Sequence, residues 1–161
     1  MPPRSYPSLV QDGLIAALLH RPVWSLRLGS YLADGEIVRG HAVAVLDALS
    51  ARGIRPLLLG DSADRPPPSL LSKRAEVVPD RGFPQLLVSL DLRAADLAHV
   101  GPSFAQDVEA AMQAGLRVIW VHPSGPASGR GVLRVESLCE LLDLLVSGGS
   151  AARSSSTYHE I

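Results

Sequence analysis

Cysteine is almost missing from this sequence: Cys139 stands alone. That excludes an internal disulfide and leads to the expectation of a reducing, cytoplasmic setting. Aromatic residues make up only 4% of the chain, so the core must be built from leucine, valine and alanine. Charge of either sign is not in excess. The net charge is −1, which gives no field to draw nucleic acid or acidic lipid. Fourteen of the fifteen basic residues are arginine, scattered along the chain rather than gathered in a patch. No apolar run approaches the ~20 residues of a membrane span, and MPPRSYPS at the start lacks the apolar centre of a secretion signal. No membrane insertion and no nucleic-acid partner are expected.

Several chemical signatures are lacking as well. There is no glycine-rich dinucleotide fingerprint and no Walker-type phosphate loop. No Gly-x-Ser-x-Gly elbow is present. The histidines, His20, His41, His99, His122 and His159, have no metal-ligand spacing with one another or with Cys139. His99 lies in an apolar strand and reads as a satisfied core histidine. His122, at a strand end, is a weak ligand candidate. Cys139, beside leucines, reads as core.

What is present is a run of α/β punctuation. The stretch Ala95–Pro123 organises the rest. Leu97–Val100 is apolar and stops at Gly101. A polar loop follows over 102–106, then Val108, Ala111 and Met112 at helical spacing, then Gly115 where a helix would end. Leu116–His122 is β-branched and aromatic, closed by Pro123. Strand, helix and strand in succession imply a parallel sheet, whose chemistry collects in loops at the carboxyl ends of strands.

Further elements fit the same plan. Leu14, Ile15, Leu18 and Leu19 give a helical face over 9–19, following a loose arm over 1–8. Residues 23–28 form a first strand, with a short hairpin at Asp34-Gly35. Residues 40–52 form a helix with Val43, Leu46 and Leu49 on one face and Gly53 at its end. Residues 54–59 form a buried strand. Pro66, Pro67 and Pro68 exclude helix and suggest a stiff loop. A strand over 75–78 and a helix opened by Pro84 follow. A short strand over 132–135 precedes a helix capped by Ser137 with Glu140 in a capping box. The expected fold is a three-layer, doubly wound α/β domain, Rossmann-like, with about five mostly parallel strands and no large cap domain. The expected organisation is an N-terminal arm and helix over 1–22, the α/β domain over 23–146, and a disordered tail over 147–161.

Particular runs carry a family resemblance. HVGPSFAQDVEAAMQAGLRVIWV resembles the fourth motif of the haloacid dehalogenase superfamily, and VESLCELLDLL resembles that fold's closing helix. LADGEIVRGHAVAVLDALSARGIRPLLLGDSAD and AEVVPD are similar to the phosphorylation domain of P-type cation ATPases. The resemblance spans about residues 23–146. It implies an Asp-x-Asp-Gly motif after the first strand, its first aspartate a nucleophile and its second a general acid and base. Leu26-Arg27-Leu28-Gly29 aligns there, or in a second register Leu32-Ala33-Asp34-Gly35. Either way leucine stands where the nucleophile belongs, and only Asp34 keeps an acid position.

Other motif positions are altered too. Leu59 replaces the second-motif threonine, with Asp61 and Ser62 following. Arg81 best matches the third-motif basic residue. Pro102 replaces the first fourth-motif acid, with Ser103 next and Asp107 retained. Asp107 is either a helix-start carboxylate or a magnesium ligand. The candidate crevice residues are thus Asp34, Asp61, Ser62, Arg81, Ser103 and Asp107, with no catalytic residue assigned.

The resemblance therefore implies a catalytically silent domain acting as a binding or regulatory module, with a protein partner or as a homo-oligomer. No cofactor is expected, Mg²⁺ entering only if the domain is active. The alternatives are a Mg²⁺-dependent phosphohydrolase with rearranged chemistry, or a soluble P-type-ATPase-like accessory protein in metal homeostasis.

Overall fold

The computed structural model describes residues 6–34, 37–60, 67–125 and 131–147. Six strands form one parallel sheet: β1 (Val23–Arg27), β4 (Arg55–Leu59), β5 (Glu76–Val78), β6 (Leu97–Gly101), β7 (Arg117–Val121) and β8 (Val132–Val135). Their order across the sheet is β5-β4-β1-β6-β7-β8, with every pairing parallel. The chain therefore starts at the centre, winds outward to one edge, and returns to build the other half from β6. That reversal beside β1 opens a crevice at the carboxyl ends of β1 and β6. Two further short strands, β2 (Ala33–Asp34) and β3 (Ile37–Val38), pair antiparallel as a hairpin just after β1, at the expected place.

The period-two alternation of each strand divides the core in two. Trp24, Leu26, Leu58, Val100, Ile119 and Leu133 point to one face. There they meet Leu14, Ile15 and Leu18 of α1 (Tyr6–Leu19), Val45, Leu46 and Leu49 of α2 (Gly40–Ala51), and Leu71 of α3 (Ser69–Ser72). Leu138, Leu141 and Leu145 complete that side from a final helix, α6, whose described part covers 138–147. Val23, Leu57, Leu59, Leu97, Val118 and Trp120 point to the opposite face, onto Phe83 and Leu86 of α4 (Phe83–Leu90) and onto Val108 and Ala111. Helices on both faces make three layers. Each fully buried leucine contributes roughly 1.5–3 kcal/mol of transfer free energy, which lets a chain so poor in aromatics hold together.

The six parallel strands agree closely with the expected sheet of about five, residues 132–135 adding a strand beside β7. Other expectations are corrected. Helix α1 begins at Tyr6, inside the stretch expected as a loose arm, and its Leu14 and Leu18 join the domain's own core. The indole of Trp24 donates to the Leu18 carbonyl at 3.0 Å, tying α1 to the central strand. After β6 the chain first forms a π-helical turn, Phe104–Glu109, and only then α5 (Ala110–Gln113). Cys139 is exposed, not core. Ser137 does cap α6, accepting from the Glu140 amide, but the Glu140 carboxylate reaches the Glu136 amide instead of closing the box. The tail beyond 147 and the first two prolines' surroundings at 1–5 lie outside the described residues, as does Pro66. Among the described residues no helix is long and apolar enough to cross a membrane.

Candidate functional site

The carboxyl end of β1 meets that of β6 around one buried polar chain. Ser25 and Arg27 share the face of Val23, two and four residues along the strand. On β6, His99 lies on the same face, in register beside Ser25. Ser25 Oγ and His99 Nδ1 are 2.8 Å apart, and His99 Nε2 lies 2.7 Å from Asp107 Oδ1. Arg27 Nε donates to the same Oδ1 at 2.5 Å. Another arm of the guanidinium pairs with Asp80, just past the end of β5, and a third approaches the Gln106 carbonyl at 3.5 Å. The amide of Ser103 donates to Asp107 Oδ2 at 2.9 Å, while the Ser103 hydroxyl accepts from the Gln106 amide and caps the π-helical turn. Asp80 is steadied in turn by the Gly82 amide at 3.2 Å.

Ser25, His99 and Asp107 are each fully buried. No buried side-chain nitrogen or oxygen among the described residues lacks a partner, which is what burial of such a chain requires. Phe83 sets its ring edge-on to His99, centroids 4.6 Å apart, and closes the chain from the α4 side. Gly101 makes room for the arrangement. A Cβ there would fall on the Asp107 carboxylate.

The titration of these groups follows from their surroundings. Burial lowers the pKa of His99, outweighing the attraction of Asp107, so the imidazole is neutral. Nε2 then carries the proton and donates to Asp107, and Nδ1 accepts from the Ser25 hydroxyl. Burial alone would raise the Asp107 carboxyl. The hydrogen bonds from His99, Arg27 and the Ser103 amide outweigh it and hold the pKa below the ordinary carboxylate range. Asp80 is lowered in the same way, chiefly by Arg27. Tyr31, whose hydroxyl donates to the Val100 carbonyl at 3.3 Å, is raised well above its usual value by burial and by Asp107.

A Ser-His-Asp chain invites comparison with a nucleophilic triad, but the burial of Ser25 decides against it. A nucleophile must reach its substrate, and this hydroxyl has no exposed surface. Magnesium fits no better among the described residues. Both Asp107 oxygens are taken by nitrogen donors, Pro102 offers no side-chain ligand, and no three His, Cys, Asp or Glu side chains converge as a metal site.

The sequence candidates are thus scattered. Asp107 and Ser103 come together. Asp34 lies exposed in the β2–β3 hairpin and Arg81 is exposed beside Asp80. Asp61 and Ser62 lie outside the described residues. Leu26 is buried in the core on the opposite face. The side chain that β1 sends into the crevice is Arg27, its last residue, opposite Leu59 in register. Arg27, Asp80 and Ser25 belong to the site although no motif position marks them. The available signal was a charged residue closing an otherwise buried central strand.

A second feature opens on the other side of the crevice. A cavity of about 620 Å³ is lined by residues of the β1–β2 loop, the start of α2, the ends of β6 and β7, and the start of α6.

No protein-family model matches the sequence, and no curated protein matches it either. Solved structures do match. A D,D-heptose 1,7-bisphosphate phosphatase from Burkholderia thailandensis superposes with a TM-score of 0.61 at 13% identity, over 79% of this chain and 99% of that one. An uncharacterized protein from Listeria monocytogenes serotype 4b gives 0.57 at 15% identity, over 80% and 98%. A haloacid dehalogenase-like family hydrolase from Xanthomonas campestris gives 0.51 at 18% identity, over 76% and 60%. At these identities the likeness is one of fold, and the fold is the haloacid-dehalogenase-like one.

Proposed function

We propose that this chain is a haloacid-dehalogenase-like domain without phosphoryl-transfer chemistry, serving as a binding or regulatory module for a protein partner or for its own copies. One observation carries the reading. At the crevice end of β1, where the fold's enzymes would present a carboxylate to phosphorus, this chain places the Arg27 guanidinium, locked between Asp107 and Asp80. A guanidinium is always protonated and has no lone pair with which to attack. It also supplies the positive charge that the two carboxylates need, so they are satisfied without a divalent ion.

Leu59 and Pro102 support the same reading, since neither can hold a phosphate or a metal. The test is turnover of p-nitrophenyl phosphate by the purified protein with Mg²⁺. No release above the buffer rate is expected. Saturable, Mg²⁺-dependent release that disappears in Asp61→Asn or Asp107→Asn would establish the rearranged phosphohydrolase instead.

A further inference from the structure

The cavity on the β6–β8 side has an uneven lining. Arg39, His41 and His122 supply basic groups, and Ser30, Tyr31 and Ser137 supply hydroxyls. Among the described residues one carboxylate, Glu136, stands against them. Pro102, Val121, Pro123 and Leu138 form the apolar part of the wall. At about 620 Å³ the space falls within the ~300–1,000 Å³ typical of small-molecule sites.

Two of the basic groups, Arg39 and His122, have partners that hold them. Arg39 Nε donates to the Ser30 carbonyl at 3.3 Å, and among the described residues its terminal nitrogens make no hydrogen bond. His122 stacks on Trp120, ring centroids 5.1 Å apart, and its Nδ1 meets the Ser124 backbone. His41 is exposed and its ring makes no hydrogen bond among the described residues. Arg39 and His41 also stand at the wrong end of a helix. The first turn of α2 contains no acidic residue, and Arg39 at its N-cap makes no side-chain capping bond. Helix dipoles favour negative charge at that end and disfavour positive charge. An anion between Arg39, His41 and His122 would offset both.

We infer that this cavity binds a small organic anion carrying more than one negative charge and a compact apolar group. The charged end would sit among Arg39, His41 and His122, and the apolar end against Val121, Pro123 and Leu138. The inference goes beyond the proposed partner-binding role, because a ligand held here lies beside the Arg27–Asp107 pair rather than on it.

Phenylphosphonate, a dianion with no ester to hydrolyse, is the probe. Titrated into the full-length protein and followed by amide and histidine-ring NMR shifts, it should saturate and move the His41 and His122 signals. Benzyl alcohol, its neutral counterpart, should not. Arg39→Gln and His122→Gln should each weaken binding about tenfold, with unchanged melting temperature showing that the variants fold. Absence of saturation, equal binding of benzyl alcohol, or undiminished binding in both variants would overturn the inference. Release of phosphate from phenyl phosphate in a parallel sample would instead overturn the non-catalytic reading, so the two failures are told apart.

Discussion

Arg27 and Asp107, eighty residues apart in the chain, share a 2.5 Å hydrogen bond between Nε and Oδ1 at the heart of the crevice. The carboxylate is fully buried, and the guanidinium is largely so, with 15% of its side-chain surface exposed. Taking both charges out of water is expensive, and removing one partner leaves the other uncompensated.

Arg27→Met and Asp107→Asn should therefore each destabilise the domain by about 3–5 kcal/mol. The double variant should cost clearly less than the sum, because it leaves no orphan charge. Urea unfolding of the four proteins measures the coupling. Simple additivity would mean that the two groups do not act as a pair.

Acid should weaken the fold in two stages. His99 faces Ser25, Asp107, Arg27 and Phe83 and has a pKa below its unfolded value. As the pH falls through ~6.5, the unfolded chain takes up that proton first, so stability drops. Asp107 and Asp80 also titrate below their unfolded value, and their contribution goes as the pH falls below ~4. Melting temperatures across this range should show the first stage in the wild-type protein and a shallower one in His99→Gln. An unchanged slope in the variant would assign the first stage to other groups.

Gly101 should tolerate a side chain far less well than Gly40. Gly101→Ala drives a methyl group into the Asp107 carboxylate, and overpacking of this kind costs about 1–3 kcal/mol. Gly40→Ala, in open space at the start of α2, serves as the control and should be neutral or slightly stabilising. Denaturant midpoints that move equally for both would contradict the close approach of Gly101 to Asp107.

The layers of the fold were legible because they depend on patterns a sequence displays directly. Gly53 and Gly115 end helices, β-branched runs such as Leu116–His122 mark buried strands, and Ser137 opens the last helix. The boundaries of α1 were not, since Tyr6, Pro7 and Ser8 look like a loop until the core draws the leucines behind them inward. Asp107 stood out through the resemblance to the fourth motif, and His99 as a core histidine. Arg27 did not. It occupied the unread middle place of a Leu-Arg-Leu alignment, and only the alternation of β1 reveals that Leu26 faces the opposite core while Arg27 faces the crevice. Its partner Asp80 comes from a distant strand edge, a relation fixed by sheet order rather than by any local pattern.

The Nε–H resonance of Arg27, followed by ¹H–¹⁵N NMR during titration with millimolar Mg²⁺, tests most directly whether the guanidinium fills the cation's place. An unmoved, slowly exchanging signal, still hydrogen-bonded to Asp107, is expected throughout. A saturable shift of that resonance together with those of His99 and Asp107, as the metal displaces the arginine, would contradict it.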